Sequence, residues 1–182
     1  MVIQNVLVVQ LIIYLLVLTV FDIKTHRIPN LLSSAAAVIG LVLQFMQHQY
    51  SGLLSALLGA GAGLAIFLPM YLLRALGAGD VKALAVVGIY LGARGVVIAA
   101  LATLLSGALI ASVYLLRNSS SLTELFYKVS WLVTGSIGDV INDIRNPQPK
   151  RLSTRNNLFP YGLAITTGTY LSLWYLQLLP FY

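Results

Sequence analysis

Apolar residues run along this chain in long blocks separated by short polar breaks. Residues 2–21 carry no charge and are almost wholly apolar. A membrane-spanning helix needs about 20 such residues, so this block predicts a first span. No basic stretch precedes it and no small-x-small site follows, so it is expected to be retained, not cleaved as a signal peptide. Residues 31–47, 53–73, 95–116 and 160–180 predict further spans. The block 53–73 is rich in small residues, Gly59-Ala60-Gly61-Ala62-Gly63. Small residues let helices approach closely, so this span is expected at the centre of a bundle. Tyr161, Trp174, Tyr175 and Tyr182 flank the last block as candidate interface anchors.

Residues 81–92 are apolar but short. The basic residues decide their reading. With six crossings, one side receives Lys24, Arg27, Arg74, Lys82, Arg117, Lys128, Arg145, Lys150, Arg151 and Arg155, and the other only Arg94. Such a bias marks the cytoplasmic side, and it puts both termini outside the cytoplasm. The stretch 118–157 is the one sizeable polar region. Leu122, Leu125, Phe126, Val129, Leu132, Val133, Ile137, Val140, Ile141 and Ile144 recur there at three- and four-residue steps. That periodicity predicts an amphipathic helix, lying in the cytoplasmic interface or packed on the spans. The expectation is an all-α polytopic membrane protein. It forms a single domain over 1–182, with six transmembrane helices and an amphipathic segment between the fifth and sixth.

Composition agrees with this layout. The chain has 182 residues, of which 59% are hydrophobic and 9% charged, and its mean hydropathy is +0.89. Soluble domains have about 25% charged residues. The net charge of +6 therefore reads as membrane topology rather than nucleic-acid binding. There is no cysteine, which excludes a thiolate nucleophile and Cys-ligated zinc. His26 and His48 fall in loops on opposite sides of the predicted membrane and make no metal site by themselves. No metal or cofactor is expected.

Five acidic residues remain. Glu124, Asp139 and Asp143 lie in the polar stretch, where solvated charge is the plain reading. Asp22 ends the first span and Asp80 opens the fourth. Acids at membrane spans are costly and point to function. Each also has a local explanation. Asp80 follows Gly77-Ala78-Gly79 and suits an N-cap. Asp22, at a helix C-terminus, faces the negative end of the dipole and has no such role, but Lys24 or Arg27 can pair with it. Two carboxylates at one depth on neighbouring helix ends are expected to share a proton. One then deprotonates water while the other polarises a carbonyl, which is the division needed for peptide hydrolysis. Helix direction assigns the ionised role to Asp80 and the protonated role to Asp22. Gly77 and Gly79 let backbone come close to a ligand, and Pro29 suits the first turn of the second span.

The stretch Phe21-Asp22-Ile23-Lys24-Thr25-His26-Arg27-Ile28-Pro29-Asn30 resembles the first aspartate motif of type IV prepilin peptidases. Gly77-Ala78-Gly79-Asp80-Val81-Lys82-Ala83-Leu84-Ala85 resembles their Gly-x-Gly-Asp motif, and Phe159-Pro160-Tyr161-Gly162-Leu163-Ala164-Ile165 their last-span motif. The resemblance implies an intramembrane aspartic endopeptidase of the cell membrane, with its site at the cytoplasmic face. It implies prepilin and pseudopilin substrates, Asp22 and Asp80 as the catalytic pair, and Gly77 and Gly79 in the active-site loop. Lys24, Lys82, Pro29 and Asn30 are candidate supports for site or substrate. The chain opens directly in a span and lacks the paired cysteines of the larger, methylating members. A peptidase without methyltransferase activity is therefore expected, similar to the compact enzymes of tight-adherence (Flp-type) pili. An archaeal preflagellin peptidase is the near variant. A proton-coupled transporter or channel subunit is the rival, but it predicts midplane acids and usually a repeated half, and neither is visible. The sequence leaves the oligomeric state open.

Overall fold

The computed structural model describes residues 2–25, 28–72, 76–117 and 161–178. All the described elements are helical: α1 (Val2–Thr25), α2 (Asn30–Leu72), α3 (Ala78–Arg117) and α4 (Tyr161–Leu178). Three of them, α1, α2 and α3, are long and apolar enough to cross a membrane. The polar stretch 118–157, with Glu124, Asp139 and Asp143, lies outside the described residues, as do His26, Arg27 and Tyr182. By internal contacts the chain forms two units, Met1–Gly107 with Pro160–Tyr182, and Ala108–Phe159. Of the second unit only the end of α3 is described, where Ser112 Oγ donates to Ala108 O at 2.7 Å. The first unit carries everything that follows.

Four continuous helices replace the six expected blocks, because two pairs of blocks are joined without a loop. The joints are nonetheless broken. Gln49 has φ 51° and ψ −130° inside α2, and Gly92 has φ 69° and ψ −179° inside α3. At about 1.5 Å per residue a straight α2 of 43 residues would run roughly 65 Å, twice the hydrocarbon core of about 30 Å. The contacts show that it turns back instead. Along the first arm, Lys82 bonds Asn30, Tyr90 bonds Ala36, and Gly40 lies against Ile89 and Tyr90. Along the second arm, Ser55 meets Gly92, Gly59 meets Gly88, and Gly63 meets Leu84. The first arm thus runs parallel to the start of α3 and the second antiparallel to it.

α3 turns back likewise at Gly92. Its later part runs antiparallel to α4, with Gly107 against Tyr161 and Ala164, Gly168 against Thr103, and Gly95 near Leu176. α4 in turn runs antiparallel to α1, through Gly162 to Asp22 and Thr166 to Thr19. One end of the unit therefore gathers the C-terminus of α1, both ends of α2, and the N-termini of α3 and α4. The other end carries the breaks at Gln49 and Gly92.

The core centres on α3, not on the small-residue block. Two thirds of an 18-residue apolar window in α3 is buried (67%), against 22% for such a window in α2. Val81, Ala83, Leu84, Val86, Val87, Ile89 and Tyr90 are all buried, so the short block 81–92 is the central segment. The glycines of 59–63 do permit close packing, but along one narrow stripe. Ala56, Gly59, Gly63 and Phe67 are buried, while Leu57, Leu58, Leu64 and Leu68 are exposed. A Cβ on Gly59 or Gly88 would collide with the backbone opposite, so the two helices meet glycine to glycine. Small residues thus report closeness of approach, not centrality.

Candidate active site

Asp22 lies in the last turn of α1, on the same stripe as the buried Leu7, Leu11, Leu15 and Leu18. It is itself buried, 7% exposed. Its Oδ2 accepts the backbone N–H of Gly162 at 2.7 Å. Gly162 is the second residue of α4, so its N–H is one of those that a helix start leaves without an intrahelical acceptor. A Cβ on Gly162 would stand 2.6 Å from Asp22 Oδ2 and 2.9 Å from its Cβ and Cγ. Only glycine leaves room for the carboxyl group there. The expectation that Asp22 has no capping role is therefore corrected: it caps another helix, 140 residues away. Lys24 is exposed on the last turn of α1, and Arg27 lies outside the described residues.

Asp80 is the third residue of α3, not its N-cap. Gly77 holds the cap position, and its carbonyl accepts Asp80 N at 3.1 Å and Val81 N at 3.4 Å. Asp80 Oδ2 reaches back to accept Gly77 N at 3.1 Å, as the third residue of a capping box does. Helix direction had separated the two acids. It no longer does, because each accepts a backbone N–H at a helix N-terminus.

The two motifs meet directly. Asp22 and Asp80 lie within electrostatic reach of each other. The Ile28 side chain, from the first motif, stands 3.2–3.5 Å from where a Cβ on Gly79 would be. Lys82 Nζ donates to Asn30 Oδ1 at 2.9 Å. Pro29 sits just before α2 rather than inside its first turn, and its carbonyl accepts Leu32 N at 3.1 Å and Ser33 N at 3.4 Å. Among the candidate supports, Asn30 and Lys82 are thus joined, Pro29 starts the helix between the motifs, and Lys24 points outward. Ala78 and Gly77 are exposed beside a half-buried Asp80, so the loop edge is open to an approaching chain.

Gly162 and Tyr161 were legible only as part of a motif. Tyr161 was expected as an interface anchor. It is half-buried instead, its ring packed edge-on to Phe67 with centroids 6.1 Å apart. It also lies within electrostatic reach of Asp80. The first turn of α4 thus adjoins both acids. Trp174 and Tyr175 are exposed, as anchors would be.

The chain has relatives. Residues 9–112 match the type IV leader peptidase family. The chain belongs to that family. A prepilin leader peptidase/N-methyltransferase of Pectobacterium carotovorum subsp. carotovorum is 32% identical over 139 residues, covering 70% of this chain and 48% of the relative. The chain therefore spans about half the length of the curated relative it matches. No solved structure matches it. The family span includes Asp22, Asp80 and the loop at Gly77 and Gly79, but ends before α4.

Proposed function

We propose that the protein is an intramembrane aspartic endopeptidase that removes the leader of type IV prepilins and pseudopilins, Flp-type prepilins in particular. The observation that carries this reading is the placement of two helix-end carboxylates, Asp22 and Asp80, at one end of the unit beside an exposed glycine loop. Membership of the leader peptidase family supports it.

On this reading the pair holds one proton, which gives the two carboxyl groups their separate acid and base roles. The ionised carboxylate takes a proton from water, and the water oxygen bonds to the scissile carbonyl carbon. The other carboxyl gives its proton to the carbonyl oxygen. As the tetrahedral intermediate collapses, the C–N bond breaks and the leaving nitrogen takes the proton first removed from water. A hydroxyl proton of the intermediate returns to the dyad, which ends as it began. The backbone N–H groups of Gly162 and Gly77 hold the two carboxyl groups in place throughout.

The reversals at Gln49 and Gly92 support six crossings, with four helical elements crossing as six arms. The basic residues support a cytoplasmic face for the site and termini on the other side. A single membrane domain carries 118–157 as an insertion. The rival, a proton-coupled transporter, places acids at the midplane, whereas these sit at helix ends.

The test is cleavage of a co-expressed Flp-type prepilin in membranes, scored by the mass of the pilin. Wild type is expected to give the shortened, unmethylated pilin. Asp22→Asn and Asp80→Asn are each expected to give none. Cleavage that survives in either variant overturns the dyad.

A further inference from the structure

We infer that Thr166 is a positioning residue, which holds the start of α4 against Asp22 through a hydroxyl bond to Thr19. This inference rests on the peptidase reading for its kinetic consequence, but its geometry does not.

Thr19 lies one turn before Asp22 on α1, and Thr166 one turn after Gly162 on α4. Their hydroxyl oxygens are 2.6 Å apart, short even for an O–H···O bond. Thr166 is buried, 8% exposed. It sits among carbonyls as well: Thr166 Oγ1 is 2.9 Å from Gly162 O and 3.5 Å from Leu15 O, and Thr19 Oγ1 is 2.9 Å from Leu15 O. Each hydroxyl has one hydrogen to donate. At 2.6 Å two hydroxyl oxygens repel unless a hydrogen lies between them, so one of the two hydrogens serves the bond between the helices and the other a carbonyl. Either Thr19 donates to Thr166 and Thr166 to Gly162 O, or Thr166 donates to Thr19 and Thr19 to Leu15 O. Both arrangements keep the bond between α1 and α4.

A helical threonine satisfies itself by bonding the carbonyl four residues back, as Thr169 does to Ile165 at 2.7 Å. Thr19 and Thr166 have that option and still meet across the helices. The partner of the bond is specific to this seam. One turn above it, Gly162 N–H meets Asp22, with no space for even a Cβ. Sliding α4 by a fraction of an ångström would lengthen that bond or press Gly162 into the carboxyl group. The threonine pair fixes the register that Asp22 needs. Thr19 and Thr166 do not touch the reacting atoms, so their effect is on the placement of Asp22.

The test uses the full chain in native membrane vesicles, with Thr166→Val, Thr166→Ser and Thr169→Val. Valine keeps the shape and loses the hydroxyl, and serine keeps the hydroxyl. Two readouts are taken: cleavage kinetics on a purified Flp-type prepilin, and the rate at which dicyclohexylcarbodiimide labels the Asp22 and Asp80 carboxyl groups, followed by peptide mass. Thr166→Val is expected to lower kcat about tenfold with little change in KM, as a misplaced catalytic group does. It should also change the labelling rate of Asp22 about threefold while leaving Asp80 as in wild type. Thr166→Ser should restore both readouts, and Thr169→Val should leave both unchanged. The inference is overturned if Thr166→Val matches wild type in labelling, if serine fails to rescue, or if Thr169→Val has the same effect. Should wild type itself be inert on prepilins, the peptidase reading fails, while the labelling pattern still decides the role of Thr166.

Discussion

The two ends of the helical unit solve the same backbone problem with different chemistry. At the turning end, Gly92 breaks the helical dihedrals of α3, and helix ends leave carbonyls in want of donors. The buried Gln44 amide donates to Ile89 O at 3.1 Å and Tyr90 O at 3.2 Å, and Ser51 Oγ donates to His48 O at 2.7 Å near the break at Gln49. Neutral side chains suffice there. At the other end, the free N–H groups of two helix starts are taken by carboxylates, Asp22 and Asp80. Serine or asparagine caps a helix as well as aspartate does, and neither carries a charge into the edge of a bilayer. Capping explains why something accepts these N–H groups. It does not explain why both acceptors at this end are acids, within electrostatic reach of each other. On the proposed peptidase reading, that surplus of charge over structural need is what does the proton chemistry.

Five substitutions sharpen that contrast. The largest effect is expected for Asp22→Asn and Asp80→Asn. Each keeps an acceptor for its N–H group but loses the proton chemistry, so cleavage should fall about 10³-fold or more while the folded protein remains. Parallel loss of folded protein would return these acids to a structural role. Next comes Gly162→Ala. Its methyl would sit 2.6 Å from Asp22 Oδ2, so the prepilin cleavage rate should drop about 10- to 100-fold through misplacement of the carboxyl group. Full activity would mean that Asp22 works elsewhere.

At the turning end, Gln44→Leu strands the carbonyls of Ile89 and Tyr90. Thermal unfolding in detergent should show a loss of about 1 kcal/mol, with cleavage per folded molecule unchanged. A large loss of turnover instead would erase the division between the ends. The smallest effect is expected for Lys82→Gln. This side chain is exposed and bonds only the tip of Asn30 among the contacts described. Stability should move by less than about 0.5 kcal/mol, and a prepilin titration would show whether Lys82 contributes to substrate affinity.

Asp22 and Asp80 were legible in the sequence because an acid next to a long apolar run is visible against its neighbours. Gly162 was not legible in the same way. A glycine that opens a helix has no side chain to read, and its contribution is an N–H and an empty space, which acquire meaning only beside Asp22. The face that α1 buries was equally hidden. Both the buried Leu15 and the exposed Leu16 are leucine, because lipid and protein interior accept the same residues. For that reason the small-residue block suggested the wrong centre. Apolar content marks a helix as membrane-embedded but does not rank helices by burial.

By itself, the sequence determined the apolar blocks, their breaks, the clustering of basic residues between them and the two acids at block ends, since each of these depends only on neighbours along the chain. The tertiary structure alone decided that α3 is central, that α2 reverses at Gln49, and that Asp22 caps α4. Those outcomes depend on which helices share a surface, and contacts between residues 140 positions apart leave no local periodicity to read. The acid pair is a property of sequence, but its pairing is a property of packing.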